Sequence, residues 1–171
     1  MLSLDPLNAA TQDEFVALLD GTYEHSPWVA KSAWVQRPFA TLAALKLALA
    51  RAVRGAGHVA QLALIRVHPE LAGKAMLSRT LTSQSNDEQG RAGLSACSEA
   101  EFALLHSLNA RYKDKFGWPF ILAVKHLDRP TIIRTFAERL NLPAADEFEN
   151  CMANIEKITR WRLDDLTGYA A

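Results

Sequence analysis

The C-terminal stretch sets the strongest limit on what this chain can fold into. From Pro143 onward, Phe148, Met152, Ile155, Ile158, Arg162 and Leu166 recur at intervals of three and four, with polar residues between them. That spacing lines up one face of an α-helix and is wrong for a strand, whose side chains alternate from side to side. The stripe is apolar except at Arg162. A guanidinium on a face built for burial needs an anionic partner, so Arg162 is expected either to close a core ion pair or to grip a ligand carboxylate.

The same period recurs upstream. Asn8 or Thr11 is placed to cap a helix carrying Phe15, Leu18 and Leu19, which ends near Asp20-Gly21. Ser26-Pro27 opens a short helical piece, since proline fits the first helical position. Thr41 caps a helix through Val53 with Leu42, Leu45, Leu49 and Val53 on one face, and Gly55 and Gly57 end it. His58 to Val67 reads as a mostly buried helix stopped at Pro69. Ser98-Glu99-Ala100-Glu101 is a capping box for a helix with Phe102, Leu105, Asn109 and Tyr112 on one stripe. Asp128 and Pro130 start another, with Ile133, Phe136 and Leu140 inward. Pro119 to Val124 is short and apolar, and periodicity does not decide between extended chain and buried helix. No alternating strand pattern is convincing, so the expected fold is all-α: a single-domain helical bundle over residues 1–171, with a polar loop between helices forming the site.

Charge and cysteine usage narrow the partners. Nineteen basic residues balance nineteen acidic ones, which gives no global electrostatic reason to bind nucleic acid or an anionic membrane. Cys97 and Cys151 stand far apart without metal-ligand spacing and read as reduced thiols. No secretory signal and no span-length apolar run is visible, and Gly168-Tyr169-Ala170-Ala171 matches no sorting signal. The expectation is a soluble, cytoplasmic protein. His25, His58, His106 and His126 have no metal-site spacing, and there is neither a phosphate-cradling glycine loop nor a nucleophile elbow.

The polar residues gather between His68 and Gly93. His68-Pro69-Glu70-Leu71-Ala72-Gly73-Lys74 opens this stretch, and Ser85-Asn86-Asp87-Glu88-Gln89 precedes Ala92-Gly93-Leu94. A loop on a rigid scaffold is a common place for a site. Each residue also has a plain structural reading. His68 can interact with the last carbonyls of a helix, and Ser85-x-x-Glu88 reads as a capping box in its own right.

In combination these motifs are more specific than any one of them. The His68–Lys74 segment, Ser85-x-x-Glu88-Gln89-x-x-Ala92-Gly93-Leu94, and Leu108-Asn109-x-x-Tyr112-x-x-Lys115-Phe116-Gly117-Trp118-Pro119-Phe120-Ile121 occur in that order. Glu24-x-Ser26-Pro27-Trp28 and Arg37-Pro38-Phe39 precede them; Arg139-Leu140 and Ile158-x-x-x-Arg162-Leu163 follow. From about Asn8 to Leu166 the chain resembles the 2-oxo-4-hydroxy-4-carboxy-5-ureidoimidazoline (OHCU) decarboxylases, which complete the conversion of urate to (S)-allantoin. It departs from the family's usual pattern at Glu70 (usually Asp), Trp118 (usually Phe) and His126 (usually Gly).

The resemblance implies an all-helical, cofactor-free carboxy-lyase, commonly a homodimer, acting on a small ureido-imidazoline. It assigns catalysis to His68 and Glu88. It assigns substrate binding to Pro69, Ser85, Gln89 and Arg162, and to backbone amides around Phe120 and Ile121. The chemistry agrees with these residue types. Loss of carbon dioxide leaves an enolate that needs donors where charge develops. A histidine titrating near neutrality suits the protonation that follows. Two other readings share the sequence: a non-catalytic helical binding module of the same fold, and a decarboxylase or lyase for a related ureido acid.

Overall fold

The computed structural model describes residues 1–72 and 82–169. The Gly73-Lys74 end of the central motif and the last two residues, Ala170 and Ala171, lie outside the described residues. Regular structure among the described residues is helical throughout: α1 (Leu4–Ala9), α2 (Gln12–Leu18), α3 (Pro27–Trp34), α4 (Leu42–Gly55), α5 (Gly57–Arg66), α6 (Ser83–Arg91), α7 (Glu99–Phe116), α8 (Arg129–Arg139) and α9 (Ala144–Thr167). A 3-10 turn covers Leu94–Ala96. The residues cluster into two compact units, Met1–Leu64 with Glu156–Ala171, and Ile65–Ile155. The chain passes from one to the other within α5 and again within α9.

In the first unit the polar residues of the N-terminal motifs are spent on helix ends and turns. Thr11 caps α2 in a full capping box with Glu14, whose carboxylate accepts the Thr11 N–H at 2.8 Å. Asn8, the other candidate cap, lies inside α1 and bridges the Phe39 backbone. Its amide donates to the Phe39 carbonyl at 2.9 Å and its oxygen accepts the Phe39 N–H at 2.7 Å. Arg37 donates to the carbonyls of Trp34 and Asn8, each at 3.0 Å, and to that of Ala10, with its guanidinium over the Trp34 ring. Arg37-Pro38-Phe39 is thus a staple for the N-terminal helices. Ser26 stands at the N-cap of α3, buried, without a side-chain capping bond. Thr41 caps α4 as expected, and Leu45, Leu49 and Val53 are buried along it.

Residues 58–67 correct the expectation of a mostly buried helix. α5 spans them through Arg66, but only Leu64 and Ile65 are buried, and Val59 is 83% exposed. An apolar run without a clear 3.6-residue period says little about which side faces the core.

The second unit is built around α7. Ser98 and Glu101 form its capping box, and Gly117 ends it in the left-handed region that glycine adopts without strain. Leu105, Leu108, Tyr112 and Phe116 pack with Leu71, Ala72, Leu94, Phe120, Val124, Ile132, Phe136 and Leu140. Asp128 caps α8 as expected, accepting the Thr131 N–H at 2.9 Å. Phe136 and Leu140 face inward as expected, while Ile132 rather than Ile133 is fully buried and Ile133 packs at the edge of the same cluster. Residues 119–124 are non-helical and mostly buried, which excludes a buried helix for that apolar run.

His126 stands in the left-handed region of the backbone. Its φ is +70°, where a Cβ crowds the backbone and glycine does not. His126→Gly is expected to stabilise the protein by about 1 kcal/mol. That should raise the melting temperature by about 2–4 °C. Thermal melts of the two proteins side by side check it.

Candidate active site

The site begins where α5 stops. The His68 N–H donates to the Ile65 carbonyl at 3.2 Å, closing a last turn, and the His68 side chain is buried. Pro69 then prevents the helix from continuing. Residues 70–72 form a short strap that enters a turn, with Leu71 and Ala72 buried. Side-chain amides bond each residue of the strap. Gln89 accepts the Ala72 N–H at 2.9 Å and donates to the Glu70 carbonyl at 3.4 Å, while Asn109 donates to the Leu71 carbonyl at 2.8 Å. The Glu70 carboxylate lies 3.8 Å from the Lys113 ammonium on α7.

Helix α6 supplies the facing side chains. Its cap is Thr82, whose hydroxyl accepts the Ser85 N–H at 3.3 Å. The expected Ser85-x-x-Glu88 capping box is therefore not formed, because Ser85 lies one turn inside the helix and is buried. Ser85, Glu88 and Gln89 stand three and four positions apart and share one side of α6. Ser85 and Gln89 are buried, and Glu88 is half-buried. Through Gln89 that side is tied to the His68 strap.

The Phe120-Ile121 segment is held separately. Arg139 donates to the Ile121 carbonyl at 2.8 Å and, through Nε, to both carboxylate oxygens of the fully buried Glu147 at 3.1 and 3.0 Å. Its guanidinium lies over the Phe120 ring, which stacks on Phe136 at 3.8 Å. Tyr112 donates its hydroxyl to Glu147, and Cys151 sits 3.4 Å from the same hydroxyl. Burial pushes the Tyr112 phenol well above the ordinary tyrosine range and pushes the Cys151 thiol up as well. Three residues beyond Cys151, the Asn154 side chain accepts the Ala123 N–H at 2.9 Å.

Arg162 belongs to the first unit. Nη2 donates to Glu24 at 3.0 Å, both side chains being buried, and Nη1 donates to the Gly21 carbonyl at 3.1 Å. The ion-pair reading of this arginine holds, and Glu24 is the carboxylate that the sequence left unnamed.

Several contributors were not assigned from sequence: Asn109, Arg139, Glu147 and Thr82. Asn109 carried a signal, being an amide on the apolar stripe of α7. Arg139 stood in a quoted motif without a role. Among the described residues no group of three or more His, Cys, Asp or Glu side chains could hold a metal ion.

Residues 8–164 match the family model described as OHCU decarboxylase. Over 166 residues the chain is 36% identical to a 2-oxo-4-hydroxy-4-carboxy-5-ureidoimidazoline decarboxylase of Halalkalicoccus jeotgali, covering 97% of this chain and 92% of that one. In fold it is similar to a crystal structure of (S)-allantoin synthase, with a TM-score of 0.74 at 24% identity. That match covers 96% of this chain but 54% of the other, so the chain spans about half its length. A structure of OHCU decarboxylase in the presence of (S)-allantoin matches with a TM-score of 0.70 at 19% identity, over 92% of this chain and 99% of that one.

The Arg139–Glu147 pair is open to a direct test. Removing one partner of a buried pair strands the other, at a cost of about 3–5 kcal/mol. Arg139→Leu is expected to lose about that much in a urea melt, and Arg139→Leu with Glu147→Leu less than twice as much.

Proposed function

Because the chain belongs to the OHCU decarboxylase family, we propose that it decarboxylates 2-oxo-4-hydroxy-4-carboxy-5-ureidoimidazoline to (S)-allantoin in urate degradation. The whole chain acts as one domain, in the cytoplasm and as a homodimer. The family match over nearly the full length carries this reading. The anchored loop after α5 supports the assignment of the site.

The bond that breaks joins the substrate's ring carbon to its carboxylate carbon. Carbon dioxide leaves, and the electron pair of the broken bond forms a double bond to the neighbouring ureido-bearing ring carbon, displacing that carbon's C=N pair onto the ring nitrogen. The 4-hydroxyl proton passes to that nitrogen, leaving an enolate. Backbone N–H groups at Phe120 and Ile121 stabilise the oxygen on which charge accumulates, and such groups act best when fixed beforehand. The Arg139 bond to the Ile121 carbonyl and the Asn154 bond to the Ala123 N–H fix this stretch. His68 then handles the proton delivered to the ureido-bearing carbon, as the enolate oxygen becomes the new ring carbonyl. Pro69 lies beside it against the substrate.

Glu88 takes part in catalysis by accepting a substrate N–H and fixing the ring against His68. Ser85 adds a hydroxyl contact from the same side of α6. Gln89 reaches the substrate from a side chain also bonded to the strap. Arg162, oriented by Glu24 and the Gly21 carbonyl, meets a carboxylate or carbonyl oxygen. The substrate's own ring C=N serves as the electron sink, so no metal or organic cofactor enters the scheme. Carbon dioxide release is accordingly expected to persist undiminished in the presence of a chelator.

The test is release of carbon dioxide from substrate generated from urate. The wild type is expected to accelerate release, and His68→Asn to slow turnover by about a hundredfold or more while remaining folded. A wild type that leaves the spontaneous rate unchanged would make the chain a non-catalytic binding module. Acceleration with a related ureido acid but not with this one would make it a decarboxylase of a different substrate. Near-wild-type turnover by His68→Asn would remove the histidine from the mechanism.

A further inference from the structure

We propose that Asn109 on α7 is a positioning residue for the decarboxylation, holding the 70–72 strap through the Leu71 carbonyl and thereby placing the His68 side chain. The proposal rests on His68 being the group that handles the proton.

Asn109 is 5% exposed, and the carbonyl it bonds lies 38 positions away at 2.8 Å. A carbonyl only accepts, so the amide orientation is fixed: Nδ2 faces the strap. The Asn109 Oδ1 atom is buried and meets no hydrogen-bond partner among the described residues. A buried amide oxygen without a partner costs stability. With Leu105, Leu108 and Tyr112 as its neighbours on α7, an apolar residue would serve the fold better at this position. What the asparagine supplies instead is the single bond to Leu71.

The strap needs such a bond. Ala72 has φ +49°, a conformation that an L-residue other than glycine keeps only where its surroundings enforce it. Gln89 holds the residues on either side of Leu71, and Asn109 holds Leu71 itself. Between the strap and His68 stands only Pro69, whose ring fixes its own φ and restricts the residue before it. Fixing residues 70–72 therefore fixes the backbone from which His68 projects. α7 thus acts on the reaction without touching the substrate.

Asn109→Leu keeps the bulk and removes the donor. Measured well below its melting temperature, it is expected to lower kcat for carbon dioxide release at least tenfold while KM changes less than threefold. Exchange of the Ala72 amide hydrogen should become at least tenfold faster. A purely structural residue would lower the melting temperature and leave kcat per folded molecule intact. Unchanged kcat in folded Asn109→Leu overturns the proposal.

Should that variant not fold, the wild type decides. Its Ala72 amide must exchange as slowly as the buried amides of α7, and exchange at the rate of an open loop overturns the proposal. A wild type inert toward the substrate would mark failure of the functional reading, while the Ala72 exchange rate still decides whether the strap is clamped.

Discussion

A peptide group taken out of water must find a hydrogen-bond partner, and this fold has to meet that demand where the chain is buried but not helical. Helices satisfy their own backbone. The strap at residues 70–72, the non-helical run at 119–124 and the junctions around Asn8 and Phe39 do not. In each case side chains reach across from a neighbouring helix or turn: Gln89 and Asn109 to the strap, Arg139 and Asn154 to Ile121 and Ala123, Asn8 and Arg37 to the N-terminal junctions. The bonding residues are amides, which both donate to carbonyls and accept from N–H groups, and arginines, which offer several donors in fixed geometry. The same demand rigidifies the segments on which the proposed chemistry depends.

The buried charges follow a related rule. Arg139 with Glu147 and Arg162 with Glu24 are both close pairs removed from water. Such pairs contribute little net stability beyond what apolar residues of similar size would give, and they are costly to break singly. What they provide here is orientation. Each guanidinium also donates to a carbonyl, of Ile121 in one case and of Gly21 in the other. Charge pairing is thereby converted into a fixed backbone position.

The helical class was legible because the stripes of α7, α8 and α9 repeat at helical spacing and the caps Thr11, Thr41, Ser98 and Asp128 are local signals. The exposed side of α5 was not legible, since its apolar residues lack a clear period. Ser85 misled because serine three before glutamate matches the capping pattern, yet Thr82 stands one turn earlier and takes the role. The pairing of Arg162 with a carboxylate followed from burial alone. The identity of that carboxylate did not, because Glu24 lies 138 positions away and only the fold relates them. Asn109 was visible as a polar residue on an apolar stripe, but its partner is a backbone carbonyl, which no side-chain pattern records.

The handedness of the product tests most directly whether this chain guides a proton to one face of a bound intermediate. Substrate generated from urate would be supplied to the wild-type protein, and the allantoin formed followed by circular dichroism. A catalyst holding the ring against His68 gives an excess of (S)-allantoin that persists through the reaction. A product without circular dichroism, formed at the spontaneous rate, would contradict it.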